Sequence, residues 1–243
     1  MMTKEADGHR TTAGDVLRSL AFYAAFYGGS VLFVLIALLL LPLSKRGFSN
    51  AVEGWSHWHR LCVRALLRIA VRVEGNNPTG KVLLAVKHES FFEAIDLPGL
   101  LNHPGVFAKA ELLRIPLWGY AGARYGLIGV ERDAGARALR AMLGSARALS
   151  EQGRPLAIFP EGTRVAHGAR APLQSGFAGL YKLIGLPVIP VAVDSGPLYH
   201  RRWKSKGTIT VRFGDPIPVG LARAEVEARV LDAINALNPE VSG

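Results

Sequence analysis

The stretch Val82-Leu83-Leu84-Ala85-Val86-Lys87-His88-Glu89-Ser90-Phe91-Phe92-Glu93-Ala94-Ile95-Asp96 decides how this chain is built. Five consecutive apolar residues read as a strand covered on both faces, because a half-buried strand would alternate. A second apolar run opens at once, behind Ser90 and Glu93 spaced as Ncap and N3 of a helix. His88 therefore stands at a strand-to-helix junction, with acids one, five and eight positions on. On one continuous helix His88 and Glu93 would diverge by about 140°. A change of chain direction between them lets them meet. A histidine with a carboxylate to hold its tautomer is built like a general base. Ser90-x-x-Glu93 is equally a capping box, in which Glu93 only receives the Ncap N–H. This stretch alone leaves both roles open.

Outward from it, the same alternation continues. Apolar β-like runs fall at 82–86, 105–108, 127–130, 156–159, 188–193 and 208–213, with helical patterns in the gaps. Leu139, Met142, Leu143, Ala146 and Leu149 make one apolar stripe, and Val226, Val230, Ile234 and Leu237 make the last. Continuous apolar strands between amphipathic helices define an α/β fold: a single mixed, largely parallel sheet covered by helices. No internal repeat or low-complexity tract interrupts it.

Upstream, the chain is different in kind. Residues 1–14 are polar and Gly/Thr-rich, and 1–18 are expected to form a flexible tail. No charge occurs from Ser19 to Ser44, a length able to cross about 30 Å of hydrocarbon as a helix. Aromatics Phe22, Tyr23, Phe26 and Tyr27 lie toward one end, and Lys45 and Arg46 close the other. Gly28-Gly29 and Pro42 leave a bent, one-leaflet insertion open beside a full span. From about Glu53 to Val73 a helical pattern places Arg60, Arg64, Arg68 and Arg72 on a slowly drifting basic stripe. That stripe is either a solvated face or a surface for anionic headgroups. The expected division is thus tail 1–18, membrane anchor and interfacial helix 19–74, and α/β domain 75–243.

Composition agrees with membrane contact. Hydrophobic residues make up 49% of the 243, the formal net charge is +10, and the mean hydropathy is positive at +0.21. A basic chain of this kind seeks anionic partners, lipid headgroups first; no nucleic-acid recognition motif appears. A single cysteine, Cys62, excludes an internal disulfide and fits a reducing compartment. It lies in an apolar helical pattern and reads as a buried hydrophobe. His88-Glu89 lacks a second histidine four residues on, so it is no zinc-protease helix, and no metal is implied.

Three further stretches stand out, two of them for their chemistry. Phe159-Pro160-Glu161-Gly162-Thr163-Arg164 ends a buried strand in a turn and presents a hydroxyl and a guanidinium, at the strand end where α/β ligands bind. Lys109-Ala110-Glu111-Leu112, followed by Pro116 and Gly119, sets a lysine against a helix N-terminus, a position that suits a bound anion. Val188-Ile189-Pro190-Val191 is an apolar strand that reads as architecture. Together and in this order, the four stretches resemble the glycerolipid acyltransferase family typified by 1-acylglycerol-3-phosphate acyltransferase. His88 and Glu93 match its histidine-plus-acid motif, with glutamate for the commoner aspartate. Phe159 to Arg164 match its third motif letter for letter. Ala110 departs from the second, where many members are polar. The resemblance spans about 80 to 215.

It implies an acyltransferase domain over 75–243, in which His88 takes the proton from the free hydroxyl of a lysophospholipid, lysophosphatidate going to phosphatidate in the first place, and that hydroxyl attacks an acyl thioester. Glu93 would orient the imidazole, Lys109 and Arg164 would hold the acceptor phosphate, and Glu161, Gly162 and Thr163 would shape that pocket. No cofactor is implied; acyl-CoA or acyl-carrier protein would be the donor. The catalytic domain would sit on the cytoplasmic face of the inner membrane, against anionic lipids. An acyltransferase for another acceptor, such as lyso-ornithine lipid, and a non-catalytic membrane-binding protein are the alternatives. The intact His88/Glu93 pair argues against the last.

Overall fold

A computed structural model describes residues 11–131 and 135–239. In chain order its elements are α1 (Ala13–Leu40), α2 (Lys45–Ala65), β1 (Ile69–Glu74), β2 (Leu83–Val86), α3 (Phe92–Leu100), β3 (Gly105–Lys109), a 3-10 turn (Ala110–Arg114), α4 (Trp118–Tyr125), β4 (Leu127–Val130), α5 (Gly135–Glu151), β5 (Leu156–Ile158), α6 (Gly176–Ile184), β6 (Val188–Val193), α7 (Gly196–Tyr199), β7 (Gly207–Phe213) and α8 (Arg223–Ile234). The strands form one sheet in the order β1-β7-β6-β2-β5-β3-β4. From β6 to β4 every pairing is parallel, while β7 runs antiparallel to β6 and β1 parallel to β7. The sheet is mixed and largely parallel, and each of the six expected apolar runs is a strand within a residue or so.

The buried strand β2 explains why its apolar run is continuous. Leu84 and Val86 face one core, with Val63, Leu67, Phe92 and Leu97 from α2, α3 and the α2–β1 join. Leu83 and Ala85 face the other, with residues of α5, α6 and α8. Two helical layers therefore sandwich the sheet. Because the central strands are parallel, the C-terminal ends of β2, β5 and β3 lie side by side on one edge.

Three expectations about the N-terminal region are corrected. First, the flexible tail does not reach residue 18, since α1 already starts at Ala13. Thr12 caps it, its hydroxyl accepting from Asp15 N while Asp15 Oδ2 accepts from Thr12 N, a Thr-x-x-Asp box. Residues 1–10 lie outside the described residues. Second, no helix runs from 53 to 73. It stops at Ala65, Arg68 takes a left-handed φ of 56°, and β1 follows. Third, the arginine stripe dissolves with it. Arg60 forms a two-pronged pair with Asp96 of α3, at 2.8 and 2.5 Å, and Arg72 lies on a strand. Since β1 belongs to the sheet, the sheet begins before residue 75. A spacing of four is even, so it suits one face of a strand as well as a helix, which is why the arginines misled.

α1 is long and apolar enough to cross a membrane. Its N-terminal half is nevertheless tied to the body. Phe22 and Phe26 are in the core, Ser19 Oγ accepts from Lys204 N at 2.8 Å, and the Tyr23 hydroxyl donates to Arg202 O at 2.5 Å. The Lys204 ammonium is buried 3.9 Å from the Tyr199 ring centroid, and burial pushes its pKa down to about 8. Leu17, Leu20, Val31, Leu32, Leu35 and Leu39 point away from the body, exposed.

Gly28 and Gly29 leave α1 unbroken but play unequal parts. A methyl group at Gly29 would fall 2.1 Å from Trp58 Nε1 of α2, whereas at Gly28 it would meet nothing. Gly28→Ala is therefore expected to stabilise the protein by up to about 1 kcal/mol through helix propensity. Gly29→Ala is expected to cost about 1–3 kcal/mol by forcing α1 and α2 apart. Thermal melting in one detergent compares the two; equal melting temperatures would mean the indole moves freely.

Candidate active site

β2 delivers Val86 to the edge of the sheet, and the next two residues set the site. Lys87 is fully buried and its ammonium donates to Glu161 Oε1 (2.7 Å), Asn235 Oδ1 (2.9 Å) and Ala169 O (3.3 Å). The other Glu161 oxygen accepts from the backbone N–H of His88 at 3.2 Å. On the other side, Val165 N donates to His88 O at 2.8 Å. The segment 161–165 thus clamps the His88 backbone from both sides. The imidazole lies against the Phe159 ring, centroids 4.3 Å apart, and its side chain keeps 17% exposure.

His88 Nδ1 lies 3.0 Å from Glu93 Oε1. The same oxygen accepts from Glu89 N (2.6 Å) and Ser90 N (2.7 Å). Glu93 Oε2 accepts from Ser195 Oγ at 2.7 Å and stands 3.1 Å from Ser90 Oγ. Ser90 is not the Ncap as expected. The first helical residue is Phe92, its cap Phe91 gives no side-chain bond, and Ser90 Oγ accepts from Phe92 N instead. One carboxylate meets turn N–H groups and the imidazole together, the contacts that each reading of Glu93 requires. With Nδ1–H engaged, Nε2 is the nitrogen left to take a proton.

Ser195 escaped the sequence reading. It follows β6, which pairs directly with β2, so its strand end shares the edge with His88. Adjacency of β6 to β2 was the missing information, and no local motif encodes it. Glu89 is also fully buried; it accepts from Gly196 N at 2.8 Å and stands 3.0 Å from His167 Nδ1. Burial pushes its carboxyl up, opposed by His167 and Gly196. Asp96, the third acid of the opening stretch, belongs to Arg60. His59 is buried against the Tyr199 hydroxyl at 2.8 Å, and desolvation lowers it to about 3, so it stays neutral.

The proposed acceptor residues divide. Arg164 and Thr163 are exposed beyond β5, after the turn in which Gly162 takes φ 67°. The guanidinium of Arg164 stands 4.4 Å over the exposed Phe91 ring. Lys109 is exposed at the end of β3, the neighbour of β5. Burial lowers His200, and the positive charge of Arg164 adds to it, opposed by Glu93. Glu161 does not line a pocket: it is 1% exposed and lies behind His88, paired with Lys87. Among the described residues, no cluster of three or more His, Cys, Asp or Glu could hold a metal ion.

The site is thus a histidine with a clamped backbone and a carboxylate on its ring, on the same sheet edge as two exposed cations. The chain belongs to the acyltransferase family, whose profile matches residues 68–194. Its relatives include the 1-acyl-sn-glycerol-3-phosphate acyltransferase of Pseudomonas aeruginosa, 30% identical over 82% of this chain and 80% of that one. The mouse 1-acyl-sn-glycerol-3-phosphate acyltransferase alpha is 29% identical over 85% of this chain and 75% of its own. In fold it resembles the crystal structure of the 1-acyl-sn-glycerophosphate acyltransferase PlsC from Thermotoga maritima, with a TM-score of 0.75 at 19% identity, over 91% of this chain and 95% of that one.

Proposed function

We propose that this enzyme moves a fatty acyl group from an acyl thioester to the free hydroxyl of lysophosphatidate, giving phosphatidate. The observation that carries this reading is the 3.0 Å contact between His88 Nδ1 and a Glu93 carboxylate already fixed by backbone N–H groups. His88 Nε2 takes the hydroxyl proton as the oxygen attacks the thioester carbonyl. The C–S bond then breaks, and the departing thiolate regains that proton from the imidazolium. Glu93 holds the tautomer and stabilises the transient cation. The donor is acyl-CoA or acyl-carrier protein, both thioesters, and no cofactor enters.

Lys109 and Arg164 grip the acceptor phosphate from neighbouring strand ends. Arg164→Ala and Lys109→Ala are each expected to raise KM for lysophosphatidate by about ten- to a hundredfold, the worth of a charge-assisted bond. kcat should change little. Steady-state thioester release, with lysophosphatidate and lyso-ornithine lipid in parallel, tests both enzyme and acceptor. Turnover of the ornithine lipid alone, or an unchanged KM in Lys109→Ala, would remove the phosphate clamp; a His88→Ala variant of wild-type rate would remove the mechanism.

The enzyme is membrane-bound through the exposed apolar face of α1. α2 packs alongside α1 and carries Lys45, Arg46, Glu53, Arg60 and Arg64, so it cannot return through hydrocarbon. α1 therefore dips into one leaflet, with the body on the same side. Lys45 and Arg46 at its end favour the cytoplasmic face of the inner membrane.

A further inference from the structure

The edge of the sheet opposite His88 carries a cleft of about 970 Å³. Its walls come from the end of α1, the start of α2, α4, and the loops that lead into β3 and β5. The wall is of two kinds. Leu38 and Leu41 supply an apolar side that runs on into the exposed Leu35, Leu39 and Leu43. Lys45, Arg124 and Arg154 supply cations from three separate elements.

We propose that this cleft is a second, non-catalytic lipid site, which takes the phosphate of an anionic phospholipid on Lys45, Arg124 and Arg154 and its acyl chains along Leu38 and Leu41. The inference rests on the membrane-bound reading of α1.

The cations are short of partners. Among the described residues, none of the three has a carboxylate within ion-pair distance. Arg124 lies over the Tyr120 ring at 5.3 Å. Arg154 is fixed by donating to the carbonyls of His103, Pro104 and Tyr125, which position its charge without neutralising it. Burial lowers its pKa, opposed by Tyr125 and Glu53. Glu53 stands beside the cleft but is engaged by His103 Nδ1 at 2.8 Å, and it offsets one charge of three. Lys45 and Arg46 also open α2, whose first turn holds no acid, so the positive helix end reinforces them. A membrane lipid fits where a free ion does not, because only a lipid uses the apolar wall and is delivered by α1 itself.

The test is binding of the full-length protein to vesicles of phosphatidylcholine alone or with phosphatidylglycerol added. Wild type should bind both, and the anionic ones more tightly. Lys45→Ala/Arg124→Ala should lose about thirtyfold of that increment, from about fivefold per basic residue at an anionic surface. It should keep its binding to neutral vesicles and its turnover of detergent-dispersed substrate. Arg223→Ala/Arg229→Ala removes the same charge from α8, across the sheet, and should change the increment by less than about twofold. Equal losses in the two double variants would overturn the site in favour of bulk attraction. Removal of the increment by inorganic phosphate, at matched ionic strength, would overturn the lipid in favour of a free anion. Failure of wild type to bind either vesicle would overturn the membrane reading of α1, and this inference with it.

Discussion

Glu93→Gln should lower kcat by about two orders of magnitude or more while leaving the melting temperature nearly unchanged. The amide reproduces the contacts of the carboxylate. Its oxygen, placed at Oε1, still accepts from Glu89 N, Ser90 N and His88 Nδ1. Its NH2, placed at Oε2, faces the Ser90 and Ser195 hydroxyls, each of which accepts once its proton turns away. What the amide lacks is the negative charge that opposes the imidazolium as the acceptor hydroxyl loses its proton. The measurement is kcat beside a melt on the same preparation. A variant with wild-type turnover would reduce Glu93 to a cap.

Glu161→Ala has the largest expected effect on stability, about 3–5 kcal/mol. It strands the buried Lys87 ammonium with only Asn235 Oδ1 and Ala169 O for partners. For a protein of this size, that is a fall in melting temperature of roughly 6–20 °C. Lys87→Met/Glu161→Leu should recover most of it, since an apolar pair of similar volume removes both charges. Activity should stay low in the double variant, because the His88 N–H loses its acceptor. A raised KM for lysophosphatidate with an unshifted melt would instead return Glu161 to the acceptor pocket.

Glu161 also marks where the sequence stopped being informative. Its motif announced a strand-end turn, which is correct, and tempted an assignment of every polar residue there to ligand. Which way an alternating turn points its side chains depends on what lies behind it, and the partner, Lys87, sits 74 positions away. The strands were legible because burial on two faces demands unbroken apolar runs. β1 was not, because it pairs on one side only and reads Ile-Ala-Val-Arg-Val-Glu, with a spacing that a helix satisfies too. The five-residue spacing made a contact between His88 and Glu93 possible, and the order of the four motifs, not that spacing, favoured it over a simple cap. Ser195, 102 positions from Glu93, belongs to the sheet order and not to any local pattern.

The position of β1 has a consequence for biosynthesis. Its partner is β7, and Glu74 and Arg212, 138 residues apart, face each other across the pair. At about 5–20 residues per second, the ribosome needs roughly 7 to 28 s to supply the rest. Throughout that interval the first strand made is an open edge, the kind that recruits other chains. α1 and α2 precede it, so on the membrane-bound reading proposed above the nascent chain is already held at the bilayer while it waits, one copy apart from the next. On that reading the apolar helix serves the assembly of the enzyme as well as its anchoring.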